Sequence, residues 1–116
     1  ARRIERLGVS ELAEQIRRGE PDLQILDVRE RSEWEAGHVA GSVFEAWHDI
    51  TGVPDGLDPA RPIAVVCASG QRAATAASLL ERYGAQRAIH VVDGGVPKLG
   101  QLDIELQTGE RAVAAT

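Results

Sequence analysis

The chain has 116 residues, of which 43% are hydrophobic and 27% charged, with a formal net charge of −5 and one cysteine. This length suits one compact domain, and no run of apolar residues approaches the roughly 18 that a membrane-spanning helix needs. The acidic balance argues against nucleic-acid binding. A single cysteine cannot form an intramolecular disulfide, which fits a reducing, cytoplasmic location.

Short apolar runs alternate with helical patterns, which indicates an α/β domain with a parallel sheet. In chain order, the patterns predict a strand at residues 4–7, a helix at 10–18, a strand at 23–28, a short helix from 32 ended by a glycine at 37, a short strand at 41–44, a loop at 51–62, a strand at 63–67, a helix at 71–83 and a last strand at 89–92. Ser10 is predicted to cap the first helix, and Ser32 with Glu35 has the form of a capping box. We expect one domain over residues 1–109 and a frayed tail over 110–116.

The strand at 63–67 is the clearest in the chain, because it is apolar throughout, as a central parallel strand should be. The helix after it carries small or apolar side chains at helical spacing on one face, at Ala73, Ala76, Ala77 and Leu80. Such a face predicts a helix that lies close against the sheet.

A cysteine stands where this strand passes into the helix, in the segment Cys67-Ala68-Ser69-Gly70-Gln71-Arg72-Ala73. Ligands of open α/β sheets bind at the carboxyl ends of strands, and the start of a helix presents unpaired backbone N–H groups. Gly70 lets the backbone curl, and Arg72 adds a positive charge. These features favour the thiolate form of Cys67, which is the nucleophile.

Three motifs follow one another along the chain. The first runs through Asp27-Val28-Arg29, Glu33-Trp34 and Gly37-His38-Val39-Ala40-Gly41-Ser42, the second is the loop at 67–73, and the third is Val92-Asp93-Gly94-Gly95. They resemble the D-V-R, E-[YFW], G-H-I-x-G-[AS] signature of the rhodanese family, its C-x-x-G-x-R active-site loop followed by a small residue, and its Gly-Gly turn. The resemblance spans nearly the whole chain.

This resemblance implies a five-stranded parallel sheet with helices on both faces and a sulfurtransferase reaction. A sulfane sulfur would pass from thiosulfate or a persulfide to Cys67, and from there to cyanide or a thiol. The resemblance further implies that Arg72 supports an anion cradle, whose backbone N–H groups come from Ala68, Ser69, Gly70, Gln71 and Ala73. It implies no metal or organic cofactor, and we expect a monomer.

Several polar residues upstream of the loop have mainly architectural counterparts in the rhodanese family. By this resemblance Asp27, Arg29 and Glu33 tie loops together by charge pairs, and His38 is a structural histidine. His48 and His90 show no metal-ligand spacing with each other or with Cys67.

Two departures from the family pattern bear on the sulfur donor. No aromatic residue follows the Gly-Gly pair, and Ala68 stands where a charged or larger residue is common. A loop whose one charged residue is Arg72 favours a persulfide donor over the thiosulfate dianion.

Other functions are compatible with parts of the pattern. One is a non-enzymatic or regulatory rhodanese module, for example a piece of a fusion with a persulfide-handling hydrolase; the chain begins with Ala1, which fits either a lost initiator methionine or such a piece. A cysteine-dependent phosphatase or arsenate reductase is less favoured. Phosphatases use C-x-x-x-x-x-R, whereas four residues separate Cys67 from Arg72 here.

Overall fold

The computed structural model describes residues 4–109, and the predicted tail at 110–116 lies outside them. The helices and strands are β1 Glu5–Gly8, α1 Val9–Arg18, β2 Gln24–Asp27, α2 Arg31–Ala36, β3 His38–Val39, β4 Val43–Phe44, a 3-10 turn Trp47–Asp49, β5 Ile63–Val66, α3 Gln71–Arg82, β6 Ala88–Val92, α4 Val96–Gln101 and β7 Leu106–Gln107. Residues 51–62 form the predicted loop.

Five of the strands form one parallel sheet in the order β1-β6-β5-β2-β4, which confirms the predicted architecture. The central strand is β5, which lies between β6 and β2. Asp27 at the end of β2 is in register with Val66 at the end of β5. The carboxyl ends of these strands therefore meet at one edge of the sheet.

Alternate residues of β5 pack on opposite faces of the sheet, as the period of two in a strand requires. Ile63 and Val65 lie in the core that contains the buried face of α3. Ala64 and Val66 lie in the core with residues of α1 and α4. Helices thus cover both faces, and the predicted small-residue face of α3 is buried.

The first two helices begin before the serines that were predicted to cap them. Helix α1 starts directly after Gly8, whose N–H donates to the Glu11 carboxylate 3.1 Å away, and Ser10 lies inside the helix. Helix α2 has Glu30 at its N-cap, with the Glu30 N–H donating to Glu33 at 2.9 Å. In both cases a glutamate three residues later satisfies a free N–H, so the serine cap is not needed.

The chain continues past β6 with two elements that the patterns did not predict. Helix α4 follows the Gly-Gly pair, and β7 pairs antiparallel with β3 in a separate two-stranded sheet. The prediction that β6 is the last strand is therefore wrong.

Between residues 4 and 109 no helix is long and apolar enough to cross a membrane.

Candidate active site

Cys67 is the first residue after β5, and its side chain is buried. Its carbonyl oxygen accepts a hydrogen bond from the Val96 N–H at 2.9 Å, which ties the end of the central strand to the start of α4. The strand thus fixes the backbone of the cysteine at the carboxyl edge of the sheet, where ligands of such sheets bind.

Two backbone N–H groups of the following loop point at the cysteine sulfur. The Gly70 N–H lies 3.0 Å and the Ala73 N–H 3.4 Å from Sγ. Gly70 has a φ of 106°, a region that residues with a Cβ rarely adopt, so glycine is needed for this curl. Both donors lie at the start of α3, and they stabilise negative charge on the sulfur.

The other predicted cradle residues line the same loop without reaching the sulfur in this structure. Ala68 is half-buried, whereas Ser69 and Gln71 are exposed. Within residues 4–109, only Gly70 and Ala73 donate to Sγ. The roles of Ala68, Ser69 and Gln71 toward a substrate stay predictions.

The Arg72 guanidinium is held by Glu33 of helix α2. Arg72 Nη1 lies 2.7 Å from Glu33 Oε1, and Nη2 lies 3.1 Å from Oε2, which makes the pair bidentate. Both side chains are about 30% exposed (28% and 33%). The positive charge that the sequence places beside the cysteine is therefore paired with a carboxylate.

This ion pair keeps Glu33 ionised across the whole neutral range. The hydrogen bonds from Arg72 outweigh the partial burial of the carboxylate and, with the Glu30 N–H, lower the pKa of Glu33 to about 2. The same hydrogen bonds raise the pKa of Arg72. The two side chains thus carry opposite full charges at neutral pH.

We expect the Glu33→Gln variant to lose less stability than the wild type as the pH falls from 4.5 toward 2. Because the pKa of Glu33 is lower in the folded chain, its stabilisation is complete above its usual pKa of 4.5 and is lost as the pH falls through about 2. Partial exposure limits the difference to about 1 kcal/mol. Urea unfolding at a series of pH values measures it, and parallel pH dependences would contradict it.

His90 of β6 holds the active-site loop from behind. Its Nε2–H donates to the Gly70 carbonyl oxygen at 2.6 Å, and the Ala74 N–H donates to the same oxygen at 3.2 Å. The His90 side chain is half-buried and also lines a groove of about 570 Å³ between β1 and α3. The imidazole therefore fixes the residue whose N–H points at the sulfur.

We expect His90→Ala to lower kcat/KM for the reaction at Cys67 by about tenfold, the loss that one well-made hydrogen bond accounts for. His90→Gln should restore most of the rate, because its amide can donate to the same carbonyl. His48→Ala is the matched control, since His48 is exposed and its hydrogen bonds are with Glu30 and Asp49, away from the cysteine loop. Equal rates for His90→Ala and the wild type would show that the hydrogen bond from His90 to Gly70 does not contribute to the reaction.

Asp27 and Arg29 form a buried ion pair at the end of β2. Arg29 donates to both Asp27 oxygens, at 2.7 to 3.1 Å, and its Nη2 also donates to the Gly37 carbonyl at 2.7 Å. His38 is stacked on Trp34 with ring centroids 3.7 Å apart, and its Nδ1 donates to the Trp34 carbonyl at 2.9 Å. These hydrogen bonds join the end of β2 to the end of α2 and β3 to α2, and the architectural role of Asp27, Arg29 and His38 stays a prediction.

Gly95 packs directly against the backbone of the active-site cysteine. A Cβ at this position would lie 1.7 Å from the Cys67 carbonyl oxygen and 2.6 Å from its carbonyl carbon. Backbone atoms cannot move away without moving the loop. This close approach explains the second glycine of the Gly-Gly pair that the sequence singles out.

Two contacts of the site were not predicted. They are the ion pair between Glu33 and Arg72 and the hydrogen bond from His90 to the Gly70 carbonyl oxygen. Glu33 stands in the first motif, and the sequence pattern gives no sign that it reaches Arg72. The residues of these contacts lie 39 and 20 positions apart.

Within residues 4–109 no group of three or more His, Cys, Asp or Glu side chains could hold a metal ion.

A protein-family model for the rhodanese-like domain matches residues 8–101, and the chain belongs to this family. A relative in Bacillus subtilis (strain 168), YrkF, whose name proposes a sulfur carrier function, is 35% identical over 72 residues. That match covers 62% of this chain and 39% of YrkF, so it spans well under half of the relative's length. The family and this relative support a sulfurtransferase-type domain.

Solved structures share the fold. The rhodanese-like domain of the Anabaena sp. protein Alr3790 superposes with a TM-score of 0.79 at 23% identity, over 91% of this chain and 80% of that one. A rhodanese-like domain protein from Staphylococcus aureus has a TM-score of 0.76 at 26% identity, over 90% of this chain and 98% of that one. At such identities the first comparison shows the fold alone.

Proposed function

We propose that this domain is a sulfurtransferase in which Cys67 carries a sulfane sulfur from a donor to an acceptor. The observation that supports this most strongly is the position of Sγ, at the end of the central strand and facing the N–H groups of Gly70 and Ala73. These donors favour a thiolate before transfer and a persulfide anion after it.

In the first half-reaction the Cys67 thiolate attacks the outer sulfur of the donor. With an organic persulfide, the new Sγ–S bond forms as the donor's S–S bond breaks, and the electron pair leaves with the donor thiolate. With thiosulfate, the same bond forms and sulfite leaves. No external oxidant or reductant is needed, because the sulfane sulfur carries its oxidation state with it.

In the second half-reaction an acceptor attacks the outer sulfur of the Cys67 persulfide. A thiolate acceptor leaves as a persulfide and cyanide leaves as thiocyanate, while the electron pair of the broken S–S bond returns to Sγ. The N–H groups of Gly70 and Ala73 stabilise the thiolate that is released.

The charges around the loop favour an organic persulfide as donor. Arg72 is paired with Glu33, and Ala68 and Gln71 carry no charge. The chain as a whole has a net charge of −5, which does not attract a dianion. The backbone cradle therefore supplies most of the attraction for the donor.

We expect kcat/KM to be higher with mercaptoethanol persulfide, which carries less charge, than with thiosulfate, and thiosulfate to saturate poorly. Ala68→Arg should improve thiosulfate use, and more so at low salt, where screening is weaker. Steady-state kinetics with both donors at two salt concentrations provide the measurement. A wild-type preference for thiosulfate would contradict the charge-based choice of donor.

A cysteine-dependent phosphatase fits the site less well. The four-residue spacing from Cys67 to Arg72 leaves a short loop, and the guanidinium is bound by Glu33. A phosphate monoester would have to break this pair to reach the arginine. We expect negligible hydrolysis of aryl phosphates.

A further inference from the structure

We propose that Glu33 is a specificity-determining residue, which selects against dianionic sulfur donors by masking the charge of Arg72. This inference rests on the proposed sulfurtransferase function and concerns the donor half-reaction. The family resemblance gives Glu33 an architectural role, whereas this inference adds an effect on the choice of sulfur donor.

The geometry of the pair carries the inference. Arg72 follows the loop that cradles Sγ, and one residue later Ala73 donates to the sulfur. Yet both terminal nitrogens of Arg72 are directed to the two oxygens of Glu33, at 2.7 and 3.1 Å. An arginine used in this way offers an incoming anion little net charge.

Helix α2 holds the carboxylate in place. Glu33 Oε1 accepts a hydrogen bond from the Glu30 N–H at 2.9 Å, which fixes the side chain at the first turn of the helix. The carboxylate is thus anchored on one side and bound to Arg72 on the other. A donor that needs the guanidinium must displace an anchored partner, whereas a donor that uses only backbone N–H groups need not.

Donor charge makes the difference measurable. Thiosulfate brings two negative charges to the loop, whereas the persulfide of mercaptoethanol has an uncharged stem. Removing the Glu33 charge should therefore favour thiosulfate selectively. A mere loosening of the loop would lower the rates with both donors and leave their ratio unchanged.

The test compares the ratio of kcat/KM for thiosulfate to kcat/KM for mercaptoethanol persulfide in several variants. Glu33→Gln keeps an oxygen for the Glu30 N–H and removes the charge, and we expect the ratio to rise about tenfold at low salt, with a smaller rise at high salt. Glu35→Gln is the matched control, because it removes a charge from the same helix, and its ratio should stay within about twofold of wild type.

The double variant Glu33→Gln/Arg72→Ala identifies the charge that is unmasked. Compared with Arg72→Ala alone, the additional Glu33→Gln change should raise the ratio much less than it does with Arg72 present, because no guanidinium is freed to contact the donor. An equally large rise without Arg72, or an unchanged ratio in Glu33→Gln itself, would overturn the inference. Mass spectrometry of each variant after donor treatment separates this failure from that of the proposed function, because a wild-type protein that gains no sulfur on Cys67 with either donor is no sulfurtransferase.

Discussion

Replacing Cys67 with serine is expected to lower sulfur transfer by at least ~10³-fold, the scale of loss when a covalent nucleophile is removed. Cys67 is the only thiol in the chain, so no other side chain can carry the sulfur. A serine hydroxyl in the same cradle does not form a stable bond to sulfane sulfur. Initial rates with a persulfide donor and a thiol acceptor measure the effect.

The same variant should keep its fold, because the serine oxygen can accept the Gly70 N–H that now points at Sγ. We expect its free energy of unfolding to lie within about 1 kcal/mol of the wild-type value. A serine variant that folds and transfers sulfur at a comparable rate would exclude Cys67 as the carrier.

Replacing Gly95 with alanine is expected to destabilise the domain by about 3 kcal/mol and to abolish most of the activity. The added Cβ would lie 1.7 Å from the Cys67 carbonyl oxygen, so either the loop or the start of α4 must shift. That shift would break the hydrogen bond from the Val96 N–H to Cys67. Denaturant unfolding and transfer rates together report the change.

Gly52→Ala is the matched control for this substitution. A Cβ at Gly52 meets no heavy atom within 4 Å, and the residue lies in the loop between the 3-10 turn and β5. Its stability should stay within about 0.5 kcal/mol of wild type. If Gly95→Ala were equally mild, the close approach to Cys67 would not constrain the active-site backbone.

The central elements could be predicted because their patterns are local and strong. Strand β5 is apolar throughout, and α3 carries a small-residue face at helical spacing, so the position of Cys67 between them followed directly. By contrast, β3 and β7 have two residues each and are defined only by pairing with each other. Such short strands leave no periodic pattern in the sequence.

The contacts that refine the site could not be predicted, because they join distant parts of the chain. From the sequence alone Arg72 is interpreted as a free positive charge, because only the fold brings Glu33 into contact with it. His90 shows no metal-ligand spacing, and its hydrogen bond to Gly70 depends on the register of β6 beside β5. The motifs thus indicated the class of chemistry, whereas the ion pair and the hydrogen bond around the loop could be identified only from the tertiary structure.

The most direct test of the sulfur-carrier role follows one sulfur atom through a single turnover. The protein is treated with a labelled persulfide donor, freed of excess donor, and then mixed with an acceptor thiol. We expect intact-mass and peptide analysis to show one added sulfur on Cys67, which then disappears as the labelled sulfur enters the acceptor. A protein that never gains the sulfur, or that keeps it in the presence of the acceptor, would contradict a transferase function for this domain.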